Sequence, residues 1–151
     1  MRTYQSLSSK ETRSLGKDLA LSFARKSTAG RKGAIVLGLR GDLGAGKTTF
    51  VQGFLEGLGS KKRALSPTFI IMRRHALRHE KFSNIFHIDA YRLKKAEDIA
   101  ALELKDALAN PKNIILIEWA DRVKKLLPKG VVWLEFRHGK KKSERSIMIK
   151  Q

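Results

Sequence analysis

Ala34-Ile35-Val36-Leu37-Gly38-Leu39-Arg40-Gly41-Asp42-Leu43-Gly44-Ala45-Gly46-Lys47-Thr48-Thr49-Phe50 is the stretch on which the fold turns. Its first six residues are a short apolar run rich in branched side chains, which reads as a buried strand. Residues 41–48 then match G-x-x-x-x-G-K-[ST] in full. Average residue frequencies would produce such a match in roughly one chain of this length in two hundred. Beyond the loop, Thr48 to Leu58 place Phe50, Val51, Phe54, Leu55 and Leu58 on one helical face, with Gly59 as the stop. Glycines between a strand and a helix let backbone N–H groups turn inward around phosphate oxygens, and the helix N-terminus adds free donors and its dipole. The residues expected at a nucleotide are therefore Asp42, Leu43, Gly44, Ala45, Gly46, Lys47, Thr48 and Thr49. Lys47 would reach the outer phosphates, and Thr48 would offer its hydroxyl to Mg²⁺. No guanine-specific Asn-Lys-x-Asp follows downstream, which favours ATP over GTP.

Upstream, Ser8 and Glu11 form the Ser-x-x-Glu capping box, followed by Leu15, Leu19, Ala20 and Phe23 at helical spacing; a helix is predicted over about 9–26. Downstream, Leu65 to Met72 reads as a strand with Pro67 near its start. Asn84 to Ala90 alternates as a strand with one apolar face, Lys95 to Ala109 returns to helical spacing, and Asn113 to Trp119 is a second apolar strand. Val131 to Phe136 and Ser146 to Ile149 read as a hairpin around the polar HGKKKSE. Strands alternating with helices predict an α/β chain of the P-loop NTPase fold, a mainly parallel sheet flanked by helices with a C-terminal antiparallel hairpin. With 151 residues, one domain over 1–151 is expected.

Composition excludes several function classes. With no cysteine, disulfide scaffolds, thiol catalysis and cysteine-bound zinc or iron–sulfur sites fall away. The longest apolar runs fall far short of the roughly 18 residues that cross a bilayer. No apolar block follows the N-terminal Arg2, so neither a secretory signal nor a membrane role is expected, and the cytoplasm is the expected compartment.

A phosphate loop needs a carboxylate to complete a Mg²⁺ shell and a group that orients the attacking water or hydroxyl. Asp89 and Glu118 both follow strands, and in a parallel sheet both reach the carboxyl edge where ligands bind; Asp121 is next along. Thr68, in Ser66-Pro67-Thr68, stands where P-loop proteins carry a switch threonine, or else merely starts a turn. Trp119 either stacks on a ligand or packs in the core. His75 and His79 have i, i+4 spacing, but RRHALRHEK reads as a basic solvated surface with no third metal ligand.

GDLGAGKTT at 41–49, SPTF at 66–69, HIDAYRL at 87–93 and IEWADR at 117–122 together resemble, in order and spacing, the bacterial TsaE family, formerly YjeE. These are the ATPases of tRNA threonylcarbamoyladenosine biosynthesis, and the likeness extends over about 5–137. It implies Lys47 on phosphates, Thr48 and Asp89 at Mg²⁺, Glu118 in catalysis or metal coordination, Thr68 in a switch-like segment and Trp119 near the site. It also implies partnership with TsaB and TsaD, which transfer the threonylcarbamoyl group to adenosine 37 of tRNA, with ATP hydrolysis resetting that complex between turnovers. tRNA would be met through the complex. One departure is LELKDAL at 102–108, which lacks the glycine of the family's Glu-Leu-Gly-Leu-like stretch.

Two other readings compete. A small metabolite kinase would use Asp89 and Arg92 on an acceptor hydroxyl, but no lid with clustered arginines is visible. A nucleotide-regulated RNA-binding module would use the basic surface, since 32 Lys and Arg against 14 Asp and Glu give a net charge of +18. Cations outnumber acids seven to one at 61–81 and ten to three at 121–151, and the charge runs Lys61-Lys62-Arg63 and Lys140-Lys141-Lys142 carry no interleaved aromatic residues to stack bases, so a solvated surface is expected. RNA binding by the isolated chain should then be steeply salt-dependent and indifferent to sequence. If about six phosphates are contacted, affinity falls roughly a thousandfold between about 50 and 200 mM salt. A salt series with cognate tRNA and an unrelated RNA of equal length measures this; a shallow slope or a marked preference for the tRNA contradicts it.

Overall fold

The computed structural model describes residues 1–26, 29–60, 72–93 and 104–150. The elements in chain order are β1 (Arg2–Ser6), α1 (Ser9–Arg25), β2 (Ile35–Gly41), α2 (Lys47–Gly57), β3 (Met72–Ala76), β4 (Asn84–Asp89), α3 (Leu104–Ala109), β5 (Asn113–Glu118), a 3₁₀ helix (Ala120–Leu126), β6 (Val132–His138) and β7 (Arg145–Lys150). Seven described strands form one sheet in the order β1-β7-β6-β2-β5-β4-β3. Its four central strands are parallel: β2 pairs with β5 and β6, and β4 with β5. The flanks are antiparallel, β7 on β6, β1 on β7, and β3 on β4.

β5 is buried at every position. Ile114 and Leu116 pack into the core under α1 and α2, whereas Ile115 and Ile117 pack against α3 and the 3₁₀ helix. A strand covered on both faces must be apolar throughout, which is why NIILI shows no alternation. At the start of α1 the Ser8 hydroxyl accepts the Glu11 N–H at 3.2 Å, as the capping box requires. The Glu11 carboxylate reaches one residue further back than the standard box, to the Leu7 N–H at 2.8 Å.

Of the predicted strand 65–72, only Met72 lies within the described residues, as do only 104–109 of the predicted helix 95–109; Thr68 lies outside them. The basic stretch after Met72 is solvated at Arg74 and Arg78 but not at His75. It forms edge strand β3, on which His75 is 1% exposed. His79 lies beyond the strand and stacks on Phe82 at 5.5 Å, so the i, i+4 spacing joins no common face. β1 was not expected at all. It caps the sheet through β7, and its Ser6 hydroxyl meets the Thr12 hydroxyl of α1 at 2.7 Å.

α1 and α2 touch backbone to backbone, because glycines face the contact. A Cβ on Gly16 would stand 2.2 Å from the Phe50 carbonyl oxygen, and one on Gly53 would stand 1.8 Å from that of Arg13. This contact seats α2, whose first residue closes the glycine loop. Alanine improves helix propensity by about 1 kcal/mol over glycine, yet Gly53→Ala must push two backbones apart. The expected net result is a loss of about 2 kcal/mol, or roughly 4–8 °C in melting temperature, measured by thermal denaturation. An unchanged or raised melting temperature contradicts the packing argument.

Candidate functional site

The end of β2 and the loop to α2 take positive φ at Gly41 (138°), Gly44 (72°) and Gly46 (98°), which glycine alone adopts freely. At Gly41 space demands glycine as well, since a Cβ would meet the Phe136 carbonyl oxygen at 2.2 Å. Gly46 is the N-cap of α2, and no side chain caps the first turn. The free N–H groups and the positive end of the helix dipole therefore face the cleft.

Register carries the carboxylates to the same edge. Asp89 of β4 stands opposite Glu118 of β5, which stands opposite Leu39 of β2, directly before the loop. The Thr48 hydroxyl donates to Glu118 at 2.9 Å to Oε2, with Oε1 at 3.1 Å. His87 Nε2 lies 2.8 Å from Glu118 Oε1 and, against a carboxylate, carries the proton it donates. His87 is 0% and Glu118 3% exposed. Lys47, 4% exposed, turns its ammonium onto the carbonyls of Gly41 (2.5 Å) and Asp42 (2.8 Å), with Nζ 3.9 Å from the centre of the Trp119 ring. Trp119 has φ 58°, the only positive value among described non-glycine residues, and this turn swings its ring over Lys47. Its ring meets Tyr91 at 5.0 Å, and Arg122 lies over both rings.

Residues 43–49, Asp89, Tyr91, Glu118 and Trp119 line a cleft of about 330 Å³. Among the residues expected from sequence, Leu43 through Thr49, Asp89, Glu118 and Trp119 are thus brought together. Asp42 contributes its carbonyl, which accepts from Lys47 and from the Ala45 N–H. Asp121 lines a separate pocket with Arg40 and Lys124. A larger depression of about 590 Å³ lies at the opposite end of β2, but its lining holds no carboxylate and no part of the loop.

Thr48, Glu118 and Asp89 offer only oxygens to the cleft, the donor set a hard cation prefers. Among the described residues no three His, Cys, Asp or Glu side chains are arranged to hold a metal ion by themselves. Two carboxylates and a hydroxyl fit Mg²⁺, which commonly takes one or two protein carboxylates alongside phosphate oxygens and water.

Residues 6–147 match the protein family described as threonylcarbamoyl adenosine biosynthesis protein TsaE. The chain belongs to the TsaE family. Its likeness to the Bacillus subtilis tRNA threonylcarbamoyladenosine biosynthesis protein TsaE is 37% identity over 108 residues, 71% of this chain and 64% of that one. The Haemophilus influenzae protein of the same name is 36% identical over 97 residues, 64% of this chain and 59% of that one. The matched stretches thus span about three-fifths of these two relatives. The Rickettsia bellii TsaE is 37% identical over 112 residues, 74% of each chain. The crystal structure of Bacillus subtilis YdiB superposes with a TM-score of 0.72 at 28% identity, covering 98% of this chain and 83% of that one.

Within this TsaE fold, sequence reasoning missed His87, Tyr91 and Arg122. His87 could have been found as a lone polar residue pointing to the core face of a strand that ends in a candidate metal ligand.

Burial holds the Lys47 ammonium below its ordinary pKa, opposed by Glu118, Asp42, Asp89 and Asp121. The unfolded chain therefore binds that proton more tightly, so the residue's contribution to stability rises as pH climbs from the depressed folded value towards 10.5. Lys47→Met removes a costly buried charge, and water entering the open cleft takes over the two freed carbonyls. Its melting temperature without nucleotide should stay within about 4 °C of the parent protein at neutral pH. Melts of both proteins at rising pH should shift in favour of the parent; a shift the other way contradicts the sign.

Proposed function

We propose that this chain is a P-loop ATPase that binds Mg-ATP and serves tRNA threonylcarbamoyladenosine (t⁶A37) biosynthesis in the cytoplasm, its hydrolysis resetting a TsaB–TsaD complex between turnovers. Residues 1–151 would act as one nucleotide-binding unit. The observation that carries the reading is that Lys47, Thr48 and Glu118 line one cleft at the mouth of a helix with no side-chain cap, with buried His87 bonded to Glu118 behind it. The names of the curated relatives and the matching family support the pathway.

In this reading Lys47 leaves the loop carbonyls and donates to the outer phosphates, while the N–H groups of Gly44 and of residues 46–49 surround the inner ones. Thr48, Asp89 and Glu118 are the residues that would hold Mg²⁺, which supplies charge neutralisation along the phosphates. Glu118, held by His87, orients the attacking water. Trp119 and Tyr91 wall the cleft and limit bulk water. A site whose walls are one short loop and two rings suits activation by partners, which would complete the wall.

Calorimetric titration with Mg-ATP tests the site. Lys47→Ala should lose about 3 kcal/mol, on the order of a hundredfold in affinity, with the fold intact. Asp89→Ala should weaken binding only when Mg²⁺ is present. Glu118→Gln should still bind nucleotide but fail to turn it over with TsaB and TsaD. Undiminished hydrolysis by Glu118→Gln in the full complex removes its catalytic role, and equal affinities for Lys47→Ala and the parent remove the site.

A further inference from the structure

His138 is the last residue of β6 and Arg145 the first of β7, and they pair across the hairpin in antiparallel register. The turn between them is tight: the Gly139 N–H donates to the Glu144 carbonyl at 2.8 Å, and a Cβ on Gly139 would stand 2.4 Å from that of Glu144. Sequence reasoning placed this basic hairpin in solvent, yet its base presses on the phosphate loop. His138 Nε2 donates to the Leu43 carbonyl at 3.1 Å. Arg145 Nη2 donates to the Gly44 carbonyl at 2.9 Å, while Nη1 donates to the carbonyls of Lys142 (2.6 Å) and Glu144 (2.7 Å). The Arg145 stem lies 3.8 Å from where a Cβ on Gly46 would stand.

A glycine-rich loop has more backbone freedom than any other and loses most when ordered. In a trans peptide the C=O and the following N–H point opposite ways, so the Leu43 carbonyl held outward turns the Gly44 N–H away from the hairpin. The Gly44 carbonyl held outward sets the Ala45 N–H, which closes the loop's own turn onto the Asp42 carbonyl at 3.2 Å. We propose that His138 and Arg145 are positioning residues that clamp the phosphate loop from outside, fixing the Leu43 and Gly44 carbonyls so that the loop is set for phosphate before nucleotide arrives. This rests on the reading of the loop as a nucleotide site. Arginine suits the task because its planar fork reaches the loop and the hairpin turn at once, which a lysine ammonium on its flexible stem does not. The clamp also ties nucleotide affinity to the hairpin, since whatever shifts the turn at 139–144 shifts the Gly44 peptide.

The test is calorimetric titration with Mg-ATP and with Mg-ADP, alongside melting temperatures, on the parent protein and five variants. Arg145→Ala should weaken both nucleotides by the same factor, about tenfold, because the loop it holds in shape serves phosphates common to both. Arg145→Lys should recover only part of this. His138→Ala, at an exposed ring that the core does not need, should lose about threefold. Lys140→Ala removes a cation of the same hairpin that does not touch the loop, and it should bind as the parent does. An equal loss in Lys140→Ala would make the effect bulk charge. A loss confined to ATP would put Arg145 on the outermost phosphate, and parent-like affinity in Arg145→Ala and His138→Ala would mean no clamp; each result overturns the proposal. Lys47→Ala separates the two levels. If it binds normally, the nucleotide site itself is wrong; if it fails to bind while Arg145→Ala and His138→Ala bind normally, only the clamp is wrong.

Discussion

Glu118 is a carboxylate with 3% of its surface exposed, at the end of a strand buried along its whole length. Taking such a group out of water costs several kcal/mol unless hydrogen bonds replace the lost solvent. Two side chains do so here, Thr48 from the first turn of α2 and His87 from β4. Each brings its element into a fixed relation with β5: the helix that carries the phosphate loop on one side, the strand that ends in Asp89 on the other. The requirement that one buried charge be satisfied therefore aligns the loop, the threonine and the second carboxylate.

That alignment would be loose if α2 could slide on the sheet. Gly16 and Gly53 let α1 and α2 approach to backbone contact, and Thr12 of α1 reaches to within 3.4 Å of where a Cβ on Gly46 would stand. Thr12 is itself held by Ser6 at the end of β1. The edge strand and the first helix thus brace the underside of the loop, while β6 blocks any side chain at Gly41 through the Phe136 carbonyl. The phosphate loop is confined by packing on several sides although its own residues are mostly small.

Local signals explain what could be read in advance. The apolar run at 34–39, the full loop motif, the capping box at Ser8 and the helical spacing of Phe50, Phe54 and Leu58 are all short-range patterns, and α1, β2, α2, β4, β5 and the final hairpin follow them closely. β1 and β3 were missed or misread because RTYQS and MRRHA lack an apolar alternation; each is an edge strand whose place is decided by a partner distant in sequence or by a turn, not by its own composition. The same holds in the site. Lys47, Asp89 and Glu118 were visible because their chemistry sits at strand and loop ends, whereas His87 becomes informative only once the parallel register of β4 on β5 sets it beside Glu118.

The cleft's reactive groups satisfy one another and the loop. Lys47 donates to Gly41 and Asp42, and Thr48 donates to Glu118. On the proposed reading, a nucleotide gains charge-assisted contacts from these two residues only in exchange for these hydrogen bonds, so its binding free energy is the difference between two hydrogen-bonded states. The lysine gains most from the exchange, because it trades neutral carbonyls and a ring face for phosphate in a sheltered place. Glu118 gains least from losing the threonine, since His87 still holds one of its oxygens and the other becomes available to metal or water. The exchange thus moves the threonine and the lysine while leaving the buried carboxylate anchored, which is the arrangement a water-orienting group needs if its aim is to survive repeated binding and release.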